Sequence, residues 1–344
     1  MRPGRRQVVR RCTAGLALPL LALTVLAPGP ARAAVAAPPA GAAPAHAVAE
    51  RLPAAPATLL AGTGSGRTTE VTARSARAVG SVSAVTAAGA TFTVTYTGFT
   101  PAARRAFQRA VDVWAGVLHS DVPITVQASF EPLGSGVLGS AGASGLARNF
   151  TGAPKRDTWY VDALANRWAG RQLDSSPDVV ARFNSGFRNW HYGSAAAPAG
   201  TYDFTSVVLH ELGHGLGFLG AGRVASGVGS VRSSGMPTAY DRFTENYDAK
   251  ALLAFADRSA ALRTQLTGGR IYFDSPAVRD ANGSRRARLF APSSWQAGSS
   301  YAHLDEGTYP AGSANSLMTP VLRDGETVRV PGPIAAAISR SIGW

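Results

Sequence analysis

Residues 204–218 read Phe-Thr-Ser-Val-Val-Leu-His-Glu-Leu-Gly-His-Gly-Leu-Gly-Phe, an apolar run with an H-E-x-x-H sequence at its centre. A helix turns once in 3.6 residues, so His210 and His214 stand on one face, one turn apart. Val207, Val208, Leu212 and Leu216 bury the rest of that helix, which turns the histidines toward an interior or a cleft. A chance H-E-x-x-H with solvated histidines lacks such surroundings. Two imidazoles at this spacing bind one zinc ion, and Glu211 stands beside the first of them without joining the metal. A carboxylate in that position accepts a proton from water that zinc acidifies. Gly213, Gly215 and Gly217 each cost about 1 kcal/mol against alanine in a helix interior. They suit a helix that packs backbone-close or ends near a metal.

The N-terminus reads as a targeting segment. Arg2, Arg5, Arg6, Arg10 and Arg11 precede an apolar stretch from Ala14 to Ala27, and Ala31-Arg32-Ala33 supplies a small-x-small cleavage site. We expect a signal peptide over residues 1–33, with a retained anchor as the alternative. The apolar stretch is short and interrupted by Pro19, which predicts no stable membrane insertion after cleavage. Arg10-Arg11 raises the twin-arginine route, although the residues that follow fit it poorly. The expected location is extracellular, for a bacterial protein. Cys12 is the sole cysteine and falls in this segment. The mature chain then has no disulfide, no thiolate ligand and no cysteine to block a zinc site.

The same segment changes the charge. The chain carries 34 basic and 21 acidic residues, a net +13; six of the arginines lie in residues 1–33, which hold no acid. The remaining +7 is spread without a basic run, and Lys155 and Lys250 are the only lysines. That pattern predicts no nucleic-acid partner.

Residues 34–88 are dominated by Ala, Pro, Gly, Ser and Thr and read as a linker or pro-region. Residues 89–220 form the expected N-terminal subdomain. Within it we predict a strand over 91–97, a helix from Pro101 to about Leu118, a strand over 122–130 and a glycine-rich loop over 133–156. Strands over 159–162 and 178–183 follow, then the histidine helix from Asp203 or Thr205. The fold class is α+β, a twisted, mostly parallel sheet backed by two helices. The 179–183 strand is the expected cleft edge, where an extended substrate could pair. Residues 221–344 form a loop-rich C-terminal subdomain with helices over 249–266 and 333–341, and Trp344 packs into the core. Asp280-Ala-Asn-Gly283 has too few acids for a calcium loop and reads as a turn. No repeat is visible, and nothing demands more than a monomer.

A catalytic zinc takes three protein ligands and one open position. In the compact H-E-x-x-H-x-x-G-x-x-H arrangement, Gly217 matches the glycine, but the ligand position is Gly220. The third ligand must come from elsewhere. His46 lies in the Ala/Pro-rich stretch, His119 ends the first helix, and His191 lies in Asn189-Trp-His-Tyr192. His303 is the only histidine after the histidine helix. Among carboxylates, Glu245 is the leading alternative, followed by Asp305 and Glu306.

His210-Glu-Leu-Gly-His-Gly-Leu-Gly-Phe218, the distant Ser300-Tyr-Ala-His303 and the later Leu317-Met-Thr-Pro320 together resemble the metzincin metalloproteases, most nearly the leishmanolysin-like type. In that type a long insertion separates the glycine from the third histidine, and a methionine turn lies beneath the metal. The resemblance implies a metzincin-like zincin fold with zinc held by His210, His214 and His303. It makes Glu211 the general base and Met318 the turn methionine of a secreted endopeptidase acting on protein or peptide substrates. It extends over residues 90–344, with specific motifs only in the helix and in Tyr301–Pro320. The family's many cysteines are absent, so its membrane anchoring and physiological substrates do not carry over. Some members place a tyrosine two residues after the methionine, where this chain has Pro320; Tyr301 and Tyr309 are nearby hydroxyls. The alternatives are a non-catalytic secreted binding module on the same fold, a zincin with Glu245 as third ligand, and zinc-dependent hydrolysis of another bond.

Overall fold

The computed structural model describes residues 50–53, 58–63, 69–71, 89–134 and 136–344. The expected signal peptide, Cys12 and His46 lie outside the described residues. The described residues belong to one compact unit. Among the described residues no helix is long and apolar enough to cross a membrane.

The centre of the fold is a six-stranded sheet. Its strands are β1 (Thr58–Thr63), β2 (Phe92–Thr97), β3 (Ile124–Glu131), β4 (Val137–Ala143), β5 (Val179–Asn184) and β6 (Val321–Arg323). They lie in the order β6-β1-β4-β5-β3-β2. β2, β3 and β5 are parallel; β4 runs antiparallel to both β5 and β1; β6 is parallel to β1. The architecture is therefore mixed α and β on a partly parallel sheet.

Helix α1 (Pro101–Ala115) links β2 to β3. The Thr100 hydroxyl caps it by accepting from the Ala103 amide at 3.2 Å, and Pro101 fits the first helical turn because that turn lacks intrahelical acceptors for its amides. Its inward face carries Ala103, Phe107, Ala110 and Trp114, all buried. Helix α2 (Asp162–Ala169) is short. Helix α3 (Phe204–Gly215) carries the H-E-x-x-H sequence and is buried at every residue. Asp203 caps it, accepting from the Ser206 amide at 2.9 Å and hydroxyl at 2.7 Å. Trp114 Nε1 donates to the Leu209 carbonyl at 2.9 Å and joins α1 to α3. A Cβ on Gly215 would stand 2.4 Å from Val179 Cγ1, so this glycine lets α3 close onto β5. Phe99, Phe107, Phe183 and Phe204 fill the space between helices and sheet, edge to face. Each fully buried ring contributes roughly 1.5–3 kcal/mol of transfer free energy.

Several expectations are corrected. β5 is not the cleft edge: it pairs with β3 on one side and β4 on the other. The glycine-rich stretch over 133–156 is not a loop, since it forms β4 and the strand Gly145–Arg148. Its small residues answer to packing. A Cβ on Gly139 would stand 3.0 Å from the Phe183 ring, and glycine inside a strand marks such close approaches. The strand expected over 159–162 is only Tyr160–Val161 and leads straight into α2. The helix expected over 249–266 is a 3-10 turn at Leu252–Ala254 followed by α4 (Ala260–Leu266). Ser259 sets the start of α4 by capping Leu262 at 3.1 Å and exchanging backbone hydrogen bonds with Gly229. Asp280 and Ala281 form the end of α5 (Pro276–Ala281), and the turn begins at Asn282. The last helix, α6 (Gly332–Ile342), agrees with the sequence reading. Trp344 is half-buried, its Nε1 donating to the Leu216 carbonyl at 2.7 Å. Within residues 34–88, β1 and the strands Glu50–Pro53 and Thr69–Val71 pair with the body, which departs from a linker at those positions.

Candidate metal centre

His210 and His214 leave α3 on one face, and His303 meets them from the far end of the chain. The three Nε2 atoms stand 3.0, 3.1 and 3.2 Å apart. Every Nδ1 faces a backbone carbonyl: His210 to Leu317 at 2.6 Å, His214 to Phe218 at 2.8 Å and His303 to Ser299 at 2.7 Å. A carbonyl only accepts, so each Nδ1 carries the proton and each Nε2 keeps a bare lone pair. Three converging lone pairs cannot hydrogen-bond one another; a cation between them removes the conflict. Nitrogens about 2.0–2.1 Å from one tetrahedral zinc would stand about 3.3 Å from one another, so sides near 3.1 Å suit such an ion. The donor set therefore fits a metal ion. Among the described residues, these are the His, Cys, Asp or Glu side chains that converge in a group of three, their ligand atoms within 4.8 Å of one another.

Burial keeps the imidazoles neutral. It pushes His210 down to about 4, against the pull of the Leu317 carbonyl. His214 and His303 also fall well below the usual histidine range, first through burial and then through the neighbouring imidazoles. Neutral imidazole is the ligating form, and carbonyl partners on the second nitrogen fix ring orientation. Glu211 follows His210 on the same turn and is fully buried. Met318 is buried beneath the helix. A Cβ on Gly213 would stand 2.9 Å from Met318 Sδ, so Gly213 opens the space that the methionine fills. The turn around Met318 is tied to the third histidine's segment, the Leu304 amide donating to the Met318 carbonyl at 2.7 Å. That tie and the Leu317 carbonyl on His210 couple the turn to both ends of the centre.

Gly220 explains the route taken by His303. A Cβ there would stand 2.3 Å from the Tyr301 ring and 2.5 Å from Asp241 Oδ1. The compact ligand position is filled by the segment that delivers His303. Tyr301 takes a left-handed backbone, φ 75°, a conformation a bulky residue holds only under constraint. Its hydroxyl donates to Asp241 at 2.7 Å and contacts the Thr244 hydroxyl at 2.9 Å. Burial and the Asp241 carboxylate push the Tyr301 hydroxyl well above its ordinary range, so it stays a donor. Asp241 also accepts from the Ala221 amide at 3.0 Å and the Thr238 amide at 2.7 Å. Burial still raises it to about 6. The sequence reading missed Asp241 as the anchor of this segment, and no local motif marks it.

The remaining sequence candidates stand elsewhere. Glu245 lies outside the histidine cluster: it accepts from Arg286 Nη1 at 2.7 Å on the strand Thr244–Asn246. Asp305 takes the Thr308 hydroxyl at 2.6 Å, and Glu306 pairs with Arg323 at 3.5 Å. His191 Nε2 contacts the Ala195 carbonyl, and His119 is exposed. The Tyr301 hydroxyl is committed to Asp241, and Tyr309 faces Asn282 at 3.3 Å. Comparison with protein-family models, with curated proteins and with solved structures found no match.

Proposed function

We propose that the chain is a secreted zinc-dependent endopeptidase of metzincin type, leishmanolysin-like in the long separation of its third ligand. The observation that carries this reading is the convergence of three bare Nε2 atoms beside Glu211, above a buried methionine turn. His210, His214 and His303 would hold the ion. Bound there with an open position, zinc would polarise a scissile carbonyl and acidify a water. Glu211 would serve as the general base, taking a proton from water and giving it to the leaving amine. The Leu317, Phe218 and Ser299 carbonyls hold the three rings so that the ligand face does not reorganise during turnover. A binding module needs no carboxylate beside the ligands, which favours the catalytic reading. Secretion follows from the N-terminal arginines, the apolar run and the small-x-small site.

The test is degradation of an unfolded protein by purified wild type and Glu211→Gln, with zinc content recorded. The expected result is zinc in both and a loss of at least about 100-fold in turnover for the variant, the usual scale of a general base. Equal cleavage by both removes Glu211 from the mechanism. Bound zinc without cleavage by either favours the binding module.

A further inference from the structure

A cavity of about 630 Å³ lies among α5, the turn that follows it and the Thr308–Tyr309 segment, and none of its lining residues belongs to the histidine cluster. Its size is that of a small-molecule site, roughly 300–1,000 Å³. Four guanidiniums line it, those of Arg279, Arg285, Arg286 and Arg288, and no carboxylate does. Three of these arginines fall within four residues, Arg285-Arg-Ala-Arg288. Like charges gathered at that density repel one another, so each needs something to hold it in place.

Three of the four are held from outside the cavity. Arg279 grips Asp274 with Nε at 2.7 Å and Nη2 at 2.6 Å. Arg286 gives Nη1 to Glu245 at 2.7 Å and Nη2 to the Tyr247 carbonyl at 3.0 Å, and lies over the Tyr272 ring, 4.2 Å from its centroid. Arg288 gives Nε and Nη2 to the Gly269 carbonyl at 3.1 and 2.7 Å. Nη1 of Arg279, Nη1 of Arg288 and the whole exposed Arg285 guanidinium keep no hydrogen-bond or ion-pair partner among the described residues. Guanidiniums fixed on one edge and open on the other lose little freedom when an anion arrives.

The Tyr309 hydroxyl adds an unused donor. Tyr309 is 6% exposed and lines the cavity. Its oxygen accepts from Asn282 Nδ2 at 3.3 Å and from the Arg288 amide at 3.4 Å, while its own hydrogen meets no acceptor among the described residues. Burial pushes this hydroxyl above its ordinary range, so the hydrogen stays on. The turn is built to present the arginines. Gly283 and Ser284 both take left-handed backbone, φ 60° and 64°, uncommon for serine. Asn282 Nδ2 also donates to the Arg286 carbonyl at 2.9 Å, and the Ser284 amide to the Arg279 carbonyl at 2.7 Å, which closes the turn against α5. The donors thus come from a helix, a turn, a strand and a hydroxyl. A planar carboxylate meets such a set on one edge only, whereas a tetrahedral ester group offers three terminal oxygens.

We propose that this cavity is a binding site for a small ligand carrying two linked phosphate or sulfate ester groups, held by Arg279, Arg285, Arg288 and the Tyr309 hydroxyl. The site goes beyond the endopeptidase reading and needs neither a metal nor cleavage.

The test is isothermal titration calorimetry on the full chain, with fructose bisphosphate and a sulfated heparin disaccharide as the two probes, in about 0.1 M salt, which screens exposed charges beyond about 10 Å. Wild type is expected to bind at least one probe at a single saturable site. Arg285→Ala and Tyr309→Phe each weaken that binding about tenfold or more, the scale of one lost hydrogen bond to a charged group. Arg285 is exposed, so its variant carries the test if Tyr309→Phe does not fold. Arg223→Ala removes an exposed arginine on the strand Gly222–Ala225, outside the cavity, and keeps wild-type affinity. Tighter binding of the bisphosphate assigns phosphate esters and tighter binding of the disaccharide assigns sulfate esters; either supports the site. Binding of neither probe by wild type overturns it. Equal weakening by Arg285→Ala and Arg223→Ala reports general attraction to a basic surface and overturns it too. Binding that Arg285→Ala leaves intact and a chelator abolishes puts the anion on a metal and rejects the cavity.

Discussion

His303 is the least local of the three candidate ligands, so replacing it with alanine is the sharpest test of the proposed metal centre. The quantity to compare is the rise in melting temperature that zinc produces over chelator, not the melting temperature itself. Metal-free stability changes too, because His303→Ala removes both buried contacts and the crowding of lone pairs at 3.0–3.2 Å. Zinc at about 100 times its dissociation constant stabilises the wild type by about 2.7 kcal/mol. For a folded unit of this size each kcal/mol moves the midpoint by about 2–4 °C, which gives a rise of about 5–11 °C. Loss of a ligand weakens binding by more than the roughly 10–100-fold seen for outer partners. The same zinc concentration then stands at or below the variant's dissociation constant and contributes at most about 0.4 kcal/mol. The rise shrinks to about 1–2 °C or less. Glu245→Ala, which loses an ion pair with Arg286 at 2.7 Å, keeps the full rise. Differential scanning calorimetry with zinc and with chelator decides the matter. A full zinc increment in His303→Ala, with none in Glu245→Ala, would refute the ligand set.

Two further outcomes follow from the packing and the charges. Gly215→Ala puts a Cβ 2.4 Å from Val179 Cγ1 and 3.2 Å from its Cβ. Its helix-propensity gain of about 1 kcal/mol is outweighed by overpacking that costs roughly 1–3 kcal/mol; a urea midpoint at or above wild type would contradict this. His210 has a folded-state value of about 4 against an unfolded value near 6.5, so its contribution is present above pH 6.5 and lost as the pH falls toward 4. That loss approaches about 3 kcal/mol in metal-free protein. Urea titrations in chelator at pH 7 and pH 4 measure it, and a His210→Gln variant with the same acid sensitivity as wild type would remove this cause.

What was legible in the sequence was local. The histidine helix announced itself because i and i+4 histidines, the Asp203 cap and the apolar positions fall within one short run. α1 was legible for the same reason, with Thr100, Pro101 and a spaced apolar face. The third histidine required an inventory of the chain, because its partners are 93 and 89 residues away. Gly220 marked the compact ligand position as vacant, but only the Tyr301 ring and Asp241 carboxylate explain why no side chain fits there. β4 escaped notice because its pattern reflects the Phe183 ring and α3 pressing on it rather than strand propensity, and small residues read locally as a loop. β1 was illegible for a related reason. Its Thr-Leu-Leu-Ala-Gly-Thr sequence sits in an Ala/Pro-rich stretch, and its order comes from two partner strands more than 70 and 250 residues onward. A strand whose ladders are wholly non-local carries little specification of its own.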